Sequence, residues 1–279
     1  MWHIPRVTDS ATRAPLKWAG GKFRVLDHLR KHLPEGARLF EPFVGSAVVS
    51  LNCDYPTYCL SDANEDLIGF YLHLQQEGAE FVEFCRPLFV PGNNTPEAFG
   101  RLRKKFNKSK DRRTRASLLL YLNRHCYNGL FRVNSKGIFN VPHGRYKQPL
   151  FPEAPMLAFA ELAPRATIQH LGFVEAMQAA GPDDVVYCDP PYVPLSATAD
   201  FTSYTKQKFG AAQQERLALE AEAAAERGAT VVISNHDTDI TAALYDKGDI
   251  HRFEVRRSIS RIGSNRGLAP ELLAIYPPR

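Results

Sequence analysis

The chain has 279 residues, is 44% hydrophobic and 23% charged, and carries a formal net charge of +5. That length suits one α/β core of about 150–200 residues plus a substantial insertion, and with no run of about 18 apolar residues a bilayer-spanning helix is excluded. The opening Met1-Trp2-His3-Ile4-Pro5-Arg6 has no apolar stretch before a cleavage site, and Cys53, Cys59, Cys85, Cys126 and Cys188 form no C-x-x-C pair, so a cytoplasmic protein with reduced thiols is expected, with neither a disulfide frame nor a zinc site.

In chain order, the first feature is Lys17-Trp18-Ala19-Gly20-Gly21-Lys22. It is not a phosphate loop, because Phe23 stands where a magnesium-binding hydroxyl is required. Two glycines, a flat side chain and a cation make it a ligand loop. A strand over Arg38–Phe43 then runs into the small turn Val44-Gly45-Ser46, and a second strand, Thr57–Asp62, precedes a helical pattern from Ala63 to about Gln76. The glycine lets a ligand approach the backbone. Asp62, about twenty residues on, stands where an acid either caps the following helix or binds ribose hydroxyls in a nucleotide-binding βαβ unit.

The middle of the chain breaks this alternation. Residues 101–147 hold fourteen Lys or Arg and one acid, Asp111, a local charge of +13, whereas the remainder carries 21 basic and 29 acidic residues, or −8. Clustered cations on an acidic body suit phosphate neutralisation along a nucleic acid. A helix over Thr114–His125 leads to a candidate β-hairpin, with Gly129–Asn134 and Ile138–Val141 flanking Ser135-Lys136-Gly137. The helices and hairpin resemble a recognition module set inside an α/β domain.

Strands resume at Thr167–Leu171, Asp184–Cys188 and Thr230–Ser234, the last two separated by a helix from Ala211 to Arg227 that stops at Gly228. Short buried strands alternating with helices predict a mostly parallel sheet covered on both faces, with ligands bound beyond the carboxyl ends of the strands. Asp189-Pro190-Pro191-Tyr192 directly follows one of these strands. In a nucleobase the amine lone pair is delocalised into the ring. Two fixed acceptors on the amine hydrogens draw the nitrogen toward tetrahedral geometry. Asp189 supplies one acceptor and the Pro190 carbonyl the other. The two prolines remove backbone donors and fix φ, and Tyr192 offers a face for an extruded base. No H-x-x-x-H, H-x-x-E-H or P-C-x-x-C spacing occurs, so no metal is expected.

Taken together these residues resemble the DNA adenine methyltransferases of the Dam type. The likeness runs from about Leu16 to Tyr276 and includes KWAGGK, EPFVG, FNKS, YLNR, YNGL, FNVP-GRYK, VVYCDPPY, PLSATA, ISNHDT and VRRSIS. It implies a Rossmann-like sheet and S-adenosylmethionine as methyl donor. It also implies a catalytic domain of residues 1–64 and 146–279 with an inserted target-recognition domain at 65–145. Trp18, Lys22, Phe43, Gly45, Asp62 and Asp189 match cofactor positions, and Asp189, Pro190 and Tyr192 match the catalytic pocket. Tyr127 and Asn128 match residues that enter the base stack when adenine is extruded. Lys17, Leu130, Arg132 and Pro142 match base-reading positions, and Arg124, Asn134, Arg145 and Lys147 match backbone contacts. The implied partner is duplex DNA carrying 5′-GATC-3′. Three stretches depart from the pattern: Ala47 replaces the second glycine of an F-x-G-x-G turn, and the chain differs around Phe131 and Val133 and over Ile262–Ala269. An RNA or protein-amide methyltransferase fits less well, because Asp precedes Pro-Pro-Tyr and a basic insertion is present. A catalytically silent DNA-binding protein would not need both Asp189 and Tyr192.

Overall fold

A computed structural model describes residues 11–193, 209–256 and 268–279; the PLSATA block, most of VRRSIS and most of the Ile262–Ala269 departure lie outside them. Seven strands form one sheet: β1 (Arg38–Glu41), β2 (Thr57–Asp62), β3 (Ala166–His170), β4 (Asp184–Cys188), β5 (Thr230–His236), β6 (Asp249–Arg256) and β7 (Leu268–Tyr276). Their order is β3-β2-β1-β4-β5-β7-β6. The first five in that order run parallel, and β7 is antiparallel to both of its neighbours. The helices are α1 (Leu26–Arg30), α2 (Glu65–Glu77), α3 (Ala79–Cys85), α4 (Pro96–Lys108), α5 (Arg112–His125), α6 (Glu153–Leu162), α7 (Phe173–Gln178), α8 (Ala211–Glu226) and α9 (Asp239–Leu244). Among the described residues no helix is long and apolar enough to cross a membrane.

The pleat sends alternate side chains to opposite faces. Leu39, Tyr58, Leu60, Val185, Tyr187, Val232 and Leu273 pack in one core with α2, α3, α5 and α6. Phe40, Val186, Cys188, Val231, Ile233, Leu272 and Ala274 pack in the other with α7 and α8. All of β4 is buried, as its unbroken apolar run requires of a central parallel strand. In α8 the small residues Ala218, Ala221, Ala224 and Ala225 let the helix lie close to the sheet. Gly228, at φ +93°, follows it; a Cβ there would stand 3.2 Å from the Pro182 backbone. Arg38 and Asp184, opposite each other in the β1–β4 register, join through a two-pronged ion pair of 2.8 and 2.6 Å.

The chain order reverses between β1 and β4, because β1 leads leftward to β2 and β3 while β4 leads rightward to β5. Side connections diverge at such a point and open a crevice beyond the strand ends. The turn after Glu41 and the loop after Cys188 both face that crevice. Between β2 and β3 the chain makes its long helical excursion. In it α5 is buried along almost its entire length, and α2 packs on both β2 and β3 while also contacting α5. Two predicted basic residues of this region are tied internally, Arg113 to Glu77 and Arg115 to Asp66.

The hairpin is slighter than its pattern predicts. One antiparallel bridge, Val133 to Phe139, stands in place of two strands. Side chains take the donors that a ladder would use: Asn134 Oδ1 accepts from the Lys136 and Ile138 amides, and Asn107 Oδ1 accepts from that of Phe139. Ala47 adopts φ +58°, a conformation that costs a residue with a Cβ about 1–2 kcal/mol. Its methyl is 0% exposed and belongs to the core, so the substituted glycine leaves the crevice side of the turn unobstructed.

Glu41 ends β1 at 2% exposure, its Oε1 accepting from the Ser50 amide at 2.8 Å. Burial outweighs that bond and pushes its pKa up from 4.5 to about 7, with the Asp189 charge adding to the rise. The folded state therefore holds a proton that the unfolded chain has released, and stability falls as pH rises from the unfolded value through the folded one. Glu41→Gln keeps an acceptor for Ser50 without the charge. We expect it to raise the Tm of the ligand-free protein by roughly 5 °C at about pH 8 and leave it nearly unchanged at about pH 5. Equal shifts at both pH values in thermal melts would show that Glu41 does not titrate in this range.

Candidate active site and nucleic-acid interface

Asp189 leaves the carboxyl end of β4 and its Oδ1 lies 2.7 Å from Lys22 Nζ. Ser234, from β5, donates to the same oxygen at 3.0 Å, and Lys22 also donates to the Gly20 carbonyl at 2.7 Å. Burial raises the Asp189 pKa, while the Lys22 charge and the two hydrogen bonds draw it back. For Lys22 burial acts downward, yet Asp189 prevails and the ammonium is held above its ordinary range. The contact thus keeps the lysine a cation and opposes, without overcoming, the burial that raises the Asp189 pKa.

The loop beyond Asp189 is fixed by its backbone. The Pro191 carbonyl accepts from Gln214 at 2.8 Å, and the Val193 amide donates to Asn235 at 3.1 Å. The Pro190 carbonyl accepts no hydrogen bond from the described residues. The Tyr192 ring has Lys22 Nζ 4.5 Å from its centroid and His236 edge-on at 4.7 Å. Its hydroxyl donates to Glu271 at 3.2 Å, and His236 is itself bonded to the Val193 carbonyl at 2.7 Å. Ser234, His236 and Glu271 join the site alongside the residues that the sequence points to. The block ISNHDT marks the first two, whereas Glu271 reaches the site only because β7 runs antiparallel beside β5.

Across the crevice, Gly45 has φ +46°, and a Cβ on it would fall 2.9 Å from the Trp18 ring. Its amide donates to Asp62 at 3.2 Å and its carbonyl accepts from Tyr71 at 2.9 Å. Asp62 is not the cap of α2. That place belongs to Asn64, whose side chain accepts from the Asp66 and Leu67 amides. Asp62 accepts instead from Gly45 and Asn64, tying the ends of β1 and β2 together, and burial lifts its pKa to about 6. Phe43 stacks on Phe173 at 5.5 Å and meets Phe209 edge-on at 5.6 Å, an aromatic wall at the β1 end of the crevice. Among the predicted cofactor residues, Lys22 meets Asp189, Trp18 flanks Gly45, and Gly45 meets Asp62.

The predicted DNA-facing residues fall into two groups. Tyr127 is exposed, and Asn128 beside it takes a left-handed conformation (φ 54°) in the turn after α5. Arg132 is exposed with its Nε donating to Asn140 at 2.9 Å, and Pro142, Arg145 and Lys147 are exposed nearby. Leu130 is half-buried under this surface. Lys17 Nζ lies 4.1 Å from the Tyr146 ring centroid, and the Lys17 backbone is clasped by Asn123 through bonds of 2.8 and 2.7 Å. Arg124 turns inward, whereas Asn134 stays exposed and bonds within its own turn. The Arg124 guanidinium donates to the carbonyls of Ala14 and Pro15, and burial lowers its pKa to about 10. The Asn134 carboxamide builds the hairpin turn.

The description of the D12 class N6 adenine-specific DNA methyltransferases matches residues 18–259 of this chain. The DNA adenine methylase of Escherichia coli (strain K12) is 50% identical over 266 residues, 95% of this chain and 96% of that protein. That of Salmonella typhi is 48% identical over 266 residues with the same coverage, and that of Serratia marcescens 48% over 265 residues, 95% of this chain and 98% of that one. Among solved structures, a precorrin 8W decarboxylase from Methanobacterium thermoautotrophicum overlays at 10% identity with a TM-score of 0.38, covering 93% and 92% of the two chains; a likeness that remote carries no functional weight. A match that takes in the glycine turn, the basic insertion and the strand-end aspartate within one stretch shows the family, and the chain belongs to the D12 class of N6 adenine-specific DNA methyltransferases.

Proposed function

We propose that this adenine-specific DNA methyltransferase acts within 5′-GATC-3′ in duplex DNA, extruding the adenine and transferring the methyl directly to N6. One observation supports the reading above others: a half-buried carboxylate, Asp189, and an unengaged carbonyl, Pro190, are adjacent at the mouth of a crevice and beside an aromatic face. The crevice also fits S-adenosylmethionine, because Gly45 lets the Trp18 ring pack against the turn, Asp62 offers a carboxylate at the end of β2, and Phe43 and Trp18 offer flat surfaces. When bound, that group supplies an electrophilic methyl on a sulfonium.

The residues of this chain then act by holding and orienting. Asp189 and the Pro190 carbonyl accept the two amine hydrogens, which localises the lone pair on nitrogen and aims it at the donor. Tyr192 stacks on the extruded base, its own ring braced by His236 and Glu271. Lys22 favours the ionised form of Asp189. Such fixed acceptors require little reorganisation during reaction, and the rate gain comes from positioning and preorganised charge. No covalent enzyme intermediate and no metal enter this scheme.

Residues 65–145 serve in this proposal as the target-recognition unit. Arg132 reads guanine, since the side chain has Asn140 as its one partner among the described residues and its terminal nitrogens can meet guanine O6 and N7. Tyr127 and Asn128 fill the gap left in the base stack, and Leu130, Pro142 and Lys17 lie along base edges. Arg145 and Lys147 hold phosphates. Arg124 shapes this surface from beneath and Asn134 shapes the exposed turn through their internal bonds, in addition to their expected role as backbone contacts.

The direct test is transfer of labelled methyl from S-adenosylmethionine to a GATC duplex and to the same duplex already methylated at both adenines. Label should enter the first alone, and Asp189→Ala should slow single-turnover transfer more than about tenfold, a barrier change above roughly 1.4 kcal/mol. Equal labelling of both duplexes would overturn the target assignment.

Acid inactivation gives a second test. Because Asp189 must be ionised to accept the amine, kcat/KM falls as pH drops through its raised pKa. Ser234→Ala removes a hydrogen bond that favours the anion, so the acid limb should move to higher pH by roughly one unit. An unmoved limb with a lower plateau would assign the titration to another group.

Specificity gives the third. Arg132→Ala should cost about 1–3 kcal/mol on GATC and narrow the rate gap to duplexes altered at one guanine-bearing pair. Lys147→Ala should slow all duplexes alike and lower the salt slope by about one. A uniform effect of Arg132→Ala would make Arg132 a backbone contact.

A further inference from the structure

Phe131 lies where the hairpin departs from the family pattern, and its neighbours give it a role that the reaction scheme does not use. It is 6% exposed, and its ring stacks on Trp18 at 5.8 Å with an interplanar angle of 24°. On its other side it meets Phe139 at 5.6 Å, and Phe139 meets Phe106 of α4 edge-on at 5.9 Å. Trp18 in turn lies against Gly45, close enough that a Cβ there would collide with it. An unbroken aromatic path therefore joins the glycine turn of the cofactor crevice to the hairpin and the helix beneath it.

The same path sets the aim of Arg132. Successive residues of an extended segment face opposite sides, and here Phe131 is buried while Arg132 is exposed and held by Asn140. Any displacement of the Phe131 ring rolls the segment and redirects the guanidinium. Lys17 behaves alike from the other end, because its backbone is clasped by Asn123, which also donates from Nδ2 to the Gly129 carbonyl in the same network. A ligand that fixes the Trp18 ring thus restricts the hairpin, and DNA that fixes the hairpin restricts Trp18.

We infer that Phe131 is a positioning residue that couples occupation of the cofactor crevice to engagement of DNA, by stacking between Trp18 and the hairpin. This rests on the proposed placement of the cofactor near Trp18 and of DNA on the hairpin. Coupling of this kind is reciprocal: each ligand tightens the other by the same factor.

The experiment is a binding cycle. Affinity for S-adenosylhomocysteine is measured without DNA, with a GATC duplex and with a duplex lacking that sequence, for the wild type, Phe131→Leu and Phe131→Tyr. In the wild type the GATC duplex should tighten S-adenosylhomocysteine by at least about fivefold. Phe131→Leu, which keeps an apolar side chain but no ring, should bring that factor below about twofold while each ligand alone binds within about threefold of wild type. Phe131→Tyr, which keeps the ring, should retain the wild-type factor. A purely structural role would weaken both single affinities and leave their ratio intact, and that result overturns the inference, as does retained coupling in Phe131→Leu or an absent factor in the wild type. A wild type that couples equally to both duplexes counts against the GATC assignment alone and leaves the role of Phe131 standing.

Discussion

The carboxylate of Asp189 is the constraint around which the rest of the molecule is arranged. A charge at the end of a strand buried on both faces is costly unless a partner and hydrogen bonds accompany it. Two separate segments supply them: Lys22 from the 3-10 turn that precedes α1, and Ser234 from β5. Neither is near Asp189 in sequence. The parallel pairing of β1, β4 and β5 brings all of the strand ends to one edge, and the reversal of chain order between β1 and β4 leaves the space there open.

Lys22 serves two ends of this arrangement. Its ammonium neutralises Asp189 and lies over the Tyr192 ring, so the carboxylate and the aromatic ring are held by a single cation. In the proposed reaction, amine hydrogens would compete with the lysine for Asp189, and a group without hydrogen-bond donors would leave that carboxylate less well satisfied. Glu271 and His236 restrain the tyrosine on its remaining sides.

The basic insertion divides its cations between structure and surface. Arg113 and Arg115 hold α5 to α2 through Glu77 and Asp66, Arg103 donates to the Val141 carbonyl, and Arg124 ties α5 to the segment before Trp18. Arg132, Arg145 and Lys147 remain exposed. The local charge of the segment therefore overstates the number of cations available to phosphates, because an arginine can be bound inward by a carbonyl without any change in the sequence signal.

Much of this was legible in the chain itself. β2 and β4 carry the bounds that their apolar runs predict, α8 ends at Glu226, just before Gly228, and Asp189-Pro190-Pro191-Tyr192 follows β4 as a rigid turn because local backbone rigidity is a property of adjacent residues. Local sequence decided those features, as period-2 and period-3.6 patterns and proline geometry act over a few residues. Tertiary structure decided the rest. Asn64 rather than Asp62 caps α2, side chains of Asn107 and Asn134 take the donors that a longer hairpin would need, and the Ala47 methyl turns into the core. Ser234, Glu271 and Phe131 matter through contacts made across 45, 79 and more than 100 positions of chain respectively. No pattern of neighbouring residues encodes such contacts; they exist only once the sheet has set its strand order and register.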